Sequence, residues 1–404
     1  MVRSGWVRSF AALGAAAALL APSYSAAAAP TPGMPRDDFL REAGSSPQGL
    51  QVGRNRRAVL LCRFQNPDSP STKPLSYFEE LYEDPDTGLL KYFEETSYGR
   101  VNMTAKVKDW RDLPDDQADY YNDENALFAD CTAAHEAAGV DFSKFEAIDI
   151  IANDRIGDAH LGGRICSNAG SVPAPPGCWR MTIIGSSNGN DPDEAALWSH
   201  EMGHSFDLPH SSGTTGADYW GPMGSPSLWC FLQWNAGPTH GCYASHYLAA
   251  HKDRYTVNTG FGKATVGLGW IPKARRYVAK KGESKTVKVE RLAKPLNNDN
   301  YLIARVPVPG KPFTYAVESR IRVGKFDSTK NLPGDGVVIT KVNWKCFCEF
   351  PVLVFGKDKD GDFLMEPGSA LWKPGETFRS NGVTVKVLGK VGGHAYKVRI
   401  TVKK

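Results

Sequence analysis

The chain has 404 residues, 41% of them hydrophobic and 23% charged, with a formal net charge of +4. A balance so near neutral leaves no electrostatic footprint for nucleic acid, and no nucleic-acid partner is expected. No stretch approaches the roughly 18 continuous apolar residues of a membrane span, so none is expected.

Residues 1–29 have the layout of a secretory signal peptide. Arg3 and Arg8 precede the apolar run "AALGAAAALLA", and small residues follow, with cleavage expected between Ala26 and Ala29. Its removal lowers the net charge to +2, because the segment carries those two arginines and no acid. The remainder is long enough for two domains and is expected to be secreted. Eight cysteines behind an export signal point to disulfides. The expected pairs are Cys62–Cys131, Cys166–Cys178 and Cys230–Cys242. Cys346 and Cys348 stay unassigned, because bridging two residues of one strand strains the bond.

Residues 30–56, rich in Pro, Gly, Ser and Arg, read as a flexible lead-in. Next comes "RAVLLCRF" (57–64), a buried strand, and then "SYFEELY" and "GLLKYFEETS", which have helical spacing. "GRVNMTAKVKDW" (99–110) alternates like a half-exposed strand. In "ENALFADCTAAHEAAG" (124–139), Leu127, Phe128, Cys131, Ala134 and Ala138 fall on one helical stripe, and Gly139 suits a C-cap. The lone His135 on that helix reads as a core residue rather than a ligand. "FEAIDIIAN" and "CWRMTIIG" are further strands, the latter a candidate to pair with an extended peptide. This alternation predicts an α/β (α+β) domain over 57–272, with a mixed sheet and an active-site helix.

After residue 272 the texture changes to short alternating runs, such as "KTVKVERL", "TYAVESRIRV", "GVVITKVNW" and "AYKVRITV", separated by turn residues. That predicts an all-β, sandwich-like domain over 273–404. The basic stretch 273–294 reads as solvated strand faces, and "DKDGD" (358–362) as a tight turn. It gives only weak support to calcium, because Gly361 is misplaced for an EF-hand and no Glu closes the loop.

The chemistry concentrates at "NDPDEAALWSHEMGHSFDLPH" (190–210). Asp191 as N-cap, Pro192 at the first helical position and Glu194 in a capping box specify a helix over about 192–205. His200 and His204, four apart, share one helical face and can grip one ion, with Glu201 bordering that face. With 9 histidines in 404 residues, a histidine at a fixed offset is about a 2% coincidence, which disfavours a helix end with scattered imidazoles.

A tetrahedral zinc ion needs a third protein ligand and leaves a position for water. Asp207 and His210 compete for that place. Pro209 stops the helix, and a left-handed residue at Asp207 would turn the chain so that His210 returns to the ion. His210 is the expected ligand. On this reading Asp207 only adds strain, and Asp207→Gly would keep zinc and activity with a slight gain in stability.

"HEMGHSFDLPH" resembles the HExxHxxGxxH signature of metzincin-like zinc proteases, with Asp207 where Gly is usual. "DYWGPMGS" looks like their Met-turn, which gives Met223 the role of hydrophobic floor beneath the metal. The likeness is to secreted immune inhibitor A-like and gametolysin-like metallopeptidases, and segments such as "AVLLCRFQN", "LGWIP" and "KPGETFRSNGVTVKV" extend it over most of residues 57–390. It implies a secreted zinc endopeptidase acting on proteins or peptides. His200, His204 and His210 would hold one zinc ion, and Glu201 would be the general base. The competing class is an inactive binding or adhesion protein that keeps the metal as structure. Loss of the glutamate would mark that class, and Glu201 is present.

Overall fold

A computed structural model describes residues 51–66, 72–154, 156, 161–185, 194–208, 246–259, 262–328, 332, 334–343, 352–353 and 370–404. Strand β1 (Gly53–Arg63) is buried at every position from Arg57 to Cys62. Covering both faces of a strand requires consecutive apolar residues, and "AVLLC" supplies them. β1 runs parallel to β2 (Val101–Asp112) on one side and to β3 (Ala147–Ala152) on the other. β5 (Trp179–Gly185) continues the parallel set, and β4 (Leu161–Ile165) closes it as an antiparallel edge. The order β2-β1-β3-β5-β4 is a mixed sheet.

Parallel neighbours need crossover connections, which the helices supply. Three of them share one face of the sheet: α1 (Leu75–Glu83), α2 (Leu89–Thr96) and α4 (Glu194–Ser205). There Tyr82, Phe93, Trp198 and Met202 pack on Val59, Leu61, Ile151 and Ile184. Helix α3 (Glu124–Ala137) covers the other face with Leu127, Phe128 and Cys131.

Three details differ from the sequence reading. β1 starts at Gly53, inside the stretch expected to be a flexible lead-in, because Gly53 already pairs with Val101 and the Arg54 and Arg56 side chains bond Glu146. The buried stripe of α3 ends at His135 rather than at Ala138, which is exposed. His135 Nε2 lies 3.2 Å from the Leu61 carbonyl oxygen, a core contact as expected. Finally, β5 has both edges occupied, by β3 and β4, so it cannot accept a peptide strand.

The cysteines at 62 and 131 are bridged, tying β1 to α3, and Cys166–Cys178 closes the connection between β4 and β5. Both match the expected pairs and are consistent with an extracellular protein. Cys230, Cys242, Cys346 and Cys348 lie outside the described residues. Among the described residues no helix is long and apolar enough to cross a membrane.

An ion pair lies in the sheet itself, beneath the α1/α2/α4 layer. Arg57 on β1 and Asp149 on β3 are fully buried and bonded twice, Nε to Oδ2 at 2.6 Å and Nη2 to Oδ1 at 2.5 Å. Tyr82 donates to the same carboxylate, and Thr182 accepts from Arg57. Removing one partner strands the other charge in the interior, at a cost of about 3–5 kcal/mol. Asp149→Ala should therefore lower the denaturation midpoint sharply, while the Arg57→Met/Asp149→Leu pair should recover most of the loss in the same chemical-denaturation assay. A double variant no more stable than Asp149→Ala would show that the charges themselves are needed.

From residue 276 onward every described element is a β-strand. Ahead of these, β6 (Tyr255–Thr259) and β7 (Gly262–Val266) form an antiparallel pair. The strands that follow are β8 (Arg276–Val278), β9 (Ser284–Glu290), β10 (Ile303–Pro307), β11 (Phe313–Arg320), β12 (Gly336–Asn343), β13 (Val352–Leu353), β14 (Thr377–Ser380), β15 (Val383–Val391) and β16 (Ala395–Val402). One sheet has the order β13-β12-β11-β10-β8 and the other β14-β15-β16-β9. Val287, Val306, Val317, Ile339, Val385, Val398 and Ile400 meet between them as one core, the sandwich that the alternating runs predict. β8 (Arg276–Val278) pairs parallel with β10 (Ile303–Pro307), the exception among antiparallel neighbours. Phe326 reaches across from the β region into the core under α4, next to Trp270 and Tyr92.

Candidate metal centre

Helix α4 faces two ways. Trp198 and Met202 are buried against the sheet, with Trp198 edge-on to Tyr82. Rotation by 3.6 residues per turn then places His200 and His204 together on another side. Their ring centroids are 4.8 Å apart and their Nε2 atoms 3.1 Å apart. Two nitrogens bound to one tetrahedral zinc at 2.0–2.1 Å would be about 3.3 Å apart. The pair is therefore close to the spacing that zinc requires.

Protonation fits as well. His204 Nδ1 lies 2.7 Å from the Leu208 carbonyl oxygen, which can only accept, so that nitrogen carries the proton. The Nε2 lone pair is thereby turned toward His200, the arrangement that outer partners impose on metal-binding imidazoles. Glu201 sits beside them at 5% exposure, its Oε1 3.9 Å from His200 Nε2. Potential ligand atoms of His200, Glu201 and His204 all lie within 4.8 Å of one another, so the group could hold a metal ion. Burial pushes the Glu201 carboxyl up to about 8, and a cation beside it would pull it back down.

The helix ends as the sequence predicts. Asp207 has φ 64°, Leu208 N–H donates to Gly203 O at 3.1 Å, and Asp207 N–H donates to His204 O at 2.8 Å. This pair of bonds around a left-handed residue is a Schellman C-cap, and buried Leu208 packs with Met202 and Phe206. His210 and Met223 lie outside the described residues, as does "DKDGD".

Contrary to the expectation from sequence, Asp207 does more than add strain. Its carboxylate takes two bonds from Arg164 on β4, Nε to Oδ1 at 2.6 Å and Nη2 to Oδ2 at 2.7 Å. Gln51 Nε2 adds a third at 3.0 Å. A left-handed non-glycine residue costs about 1–2 kcal/mol, and each bond to a charged partner contributes a similar amount. The network outweighs the strain. It also turns the carboxylate toward Arg164 on β4.

Sequence reasoning missed three other contributors. Gly162 on β4 is pressed so close to Glu201 that a Cβ there would sit 1.8 Å from the Glu201 carbonyl oxygen. Its signal was the doublet "LGGRI", since glycines inside a strand mark close backbone approach. Tyr247 donates from its hydroxyl to the carbonyl of Ser199, one residue before the first histidine. Arg164 gave no local signal.

No protein-family model matches the chain, and no curated protein does. Among solved structures, one similar chain is catalytic inactive OgpA from Akkermansia muciniphila, in complex with an O-glycopeptide (glycodrosocin) substrate. The identity is 11%, with 76% of this chain and 92% of that chain covered and a TM-score of 0.24. Similarity at that level carries no argument here.

Proposed function

We propose that this chain is a secreted, zinc-dependent endopeptidase of the metzincin-like type. On this reading residues 57–272 form the catalytic domain, and 273–404 a β-sandwich-like domain that supports it. The observation that carries the proposal is the pair of facing Nε2 atoms 3.1 Å apart beside a buried glutamate. His200 and His204 supply two ligands and His210 the third, with Met223 as the hydrophobic floor. Zinc, when bound, supplies a Lewis acid that makes water a nucleophile near neutral pH. Glu201 takes the proton from the attacking water and delivers it to the leaving amine, with no change of place. Its position beside the histidines, 3.9 Å from His200 Nε2, suits a base rather than a further ligand.

An extended substrate needs an open strand edge, and β5 has none. β4 closes the sheet at the end next to α4 and has one described neighbour, β5. The substrate backbone therefore pairs with β4, which brings the scissile carbonyl alongside Glu201.

Casein incubated with the purified protein should be cleaved, and a zinc chelator should abolish cleavage until zinc is returned. Metal analysis should find close to one zinc ion per chain. Tight zinc binding without cleavage of casein or of a peptide library would favour the inactive binding protein instead.

A further inference from the structure

Arg164 on β4 stands directly opposite Arg180 on β5. Like charges at directly opposed positions of adjacent strands repel, so this pairing needs an anion close by. Asp207 provides it. Its two oxygens engage Arg164, whose Nη1 also donates to the Gly177 carbonyl at 2.9 Å. Gln51 bridges the two halves, donating to Asp207 and accepting from Arg180. The Arg180 guanidinium lies over the Phe206 ring, 5.4 Å from its centre, and Trp270 donates to the Gln51 carbonyl at 2.8 Å. The side chains of Arg164 and Asp207 are 13% and 21% exposed, so water screens the pair only in part.

Two of these groups lie on elements that the metal centre uses. Asp207 is the left-handed residue of the cap that follows His204, and this cap places the Leu208 carbonyl against His204 Nδ1. Arg164 belongs to the strand whose Gly162 touches the Glu201 backbone. We propose that Arg164 and Asp207, joined by Gln51, form a positioning clamp that locks the turn after the metal-binding helix to the β4 edge. The inference deepens the reading of the centre as a zinc endopeptidase and rests on it. The clamp touches neither metal nor substrate. It holds the third-ligand turn and the substrate edge in one fixed relation, and an aspartate in place of glycine is what allows it.

The test uses the full exported chain with Asp207→Ala, Asp207→Gly, Arg164→Ala, the double alanine variant and Arg164→Lys. Zinc affinity is measured by chelator competition well below each variant's melting temperature, with kcat and KM on an unstructured peptide. Melting temperatures are measured on the same proteins after metal removal. Loss of a partner that orients a ligand typically weakens metal binding tenfold to a hundredfold. The single alanine variants should weaken zinc by about that factor, and the double variant should be no worse than the weaker single, because both remove the same pair. Arg164→Lys should fall in between, since one ammonium replaces a two-pronged donor. Asp207→Gly should behave like the alanine variant despite its relieved backbone. If an alanine variant does not fold, Arg164→Lys and Asp207→Gly carry the comparison. Melting temperatures that fall while zinc affinity stays within twofold of wild type, or losses that simply add, would overturn the clamp. A wild-type chain that binds no zinc would instead overturn the metal reading, and the clamp with it.

Discussion

Glu201→Gln should keep its zinc ion and lose nearly all proteolysis. The amide has the shape of the carboxylate and sits just as easily in a site that is 5% exposed. The two facing histidines do not depend on it, because His204 is oriented by the Leu208 carbonyl. Metal content should therefore stay near one ion per chain. An amide cannot accept the proton of the attacking water, and a positioned general base contributes roughly 10²–10⁴-fold. The loss should fall on kcat with KM little changed, because the missing interaction is made in the transition state. Steady-state kinetics on a fluorogenic peptide, alongside metal analysis of the same preparation, decide the point. A variant that turns over at the wild-type rate removes Glu201 from the mechanism, and one that loses zinc makes it a ligand.

What the sequence revealed about this centre was local, and what it hid was not. The helix, the i, i+4 histidines and the left-handed turn each follow from residues within one or two turns of chain. Helical period and the block imposed by Pro209 act over that distance. The two disulfides were legible because each joins segments whose packing was already expected. Arg164 and Asp207 are 43 positions apart, and Arg57 and Asp149 are 92 apart. No periodicity links such pairs, and each residue alone looks like a cost, a strained aspartate or a charge in an apolar strand. Their partners appear only once the sheet order is known. The edge strand escaped for a related reason. "LGGRI" has neither alternation nor a long apolar run, and its Gly162 serves contact with α4 rather than strand formation. With β4 missed, β5 looked like an available strand.

The contact between β4 and α4 makes Gly162→Ala the most damaging methyl group that can be added near the centre. The new Cβ would lie 1.8 Å from the Glu201 carbonyl oxygen, 2.6 Å from its carbonyl carbon and 2.8 Å from its Cα. All three are backbone atoms of a helix, so no side-chain rotation makes room. Close-packed interiors transmit such an overlap into movement of whole elements, and strand and helix must part by about 1 Å. Forcing an extra methyl group into packed structure costs about 1–3 kcal/mol, which lowers the melting temperature by several degrees without unfolding the chain. The effect on catalysis is larger. The displaced residue is the proposed general base, and the displacement widens the gap to the edge where substrate is proposed to pair. A misplacement of about 1 Å costs on the order of a hundredfold in rate. Gly162→Ala should therefore lose about that factor in kcat/KM at a temperature where it is fully folded. It should still bind zinc, weakened no further than in the clamp variants, because both histidines move with the helix and only its relation to β4 changes. Chelator competition and peptide kinetics on one preparation separate these effects. Wild-type kcat/KM in this variant would mean that β4 does not lie against Glu201.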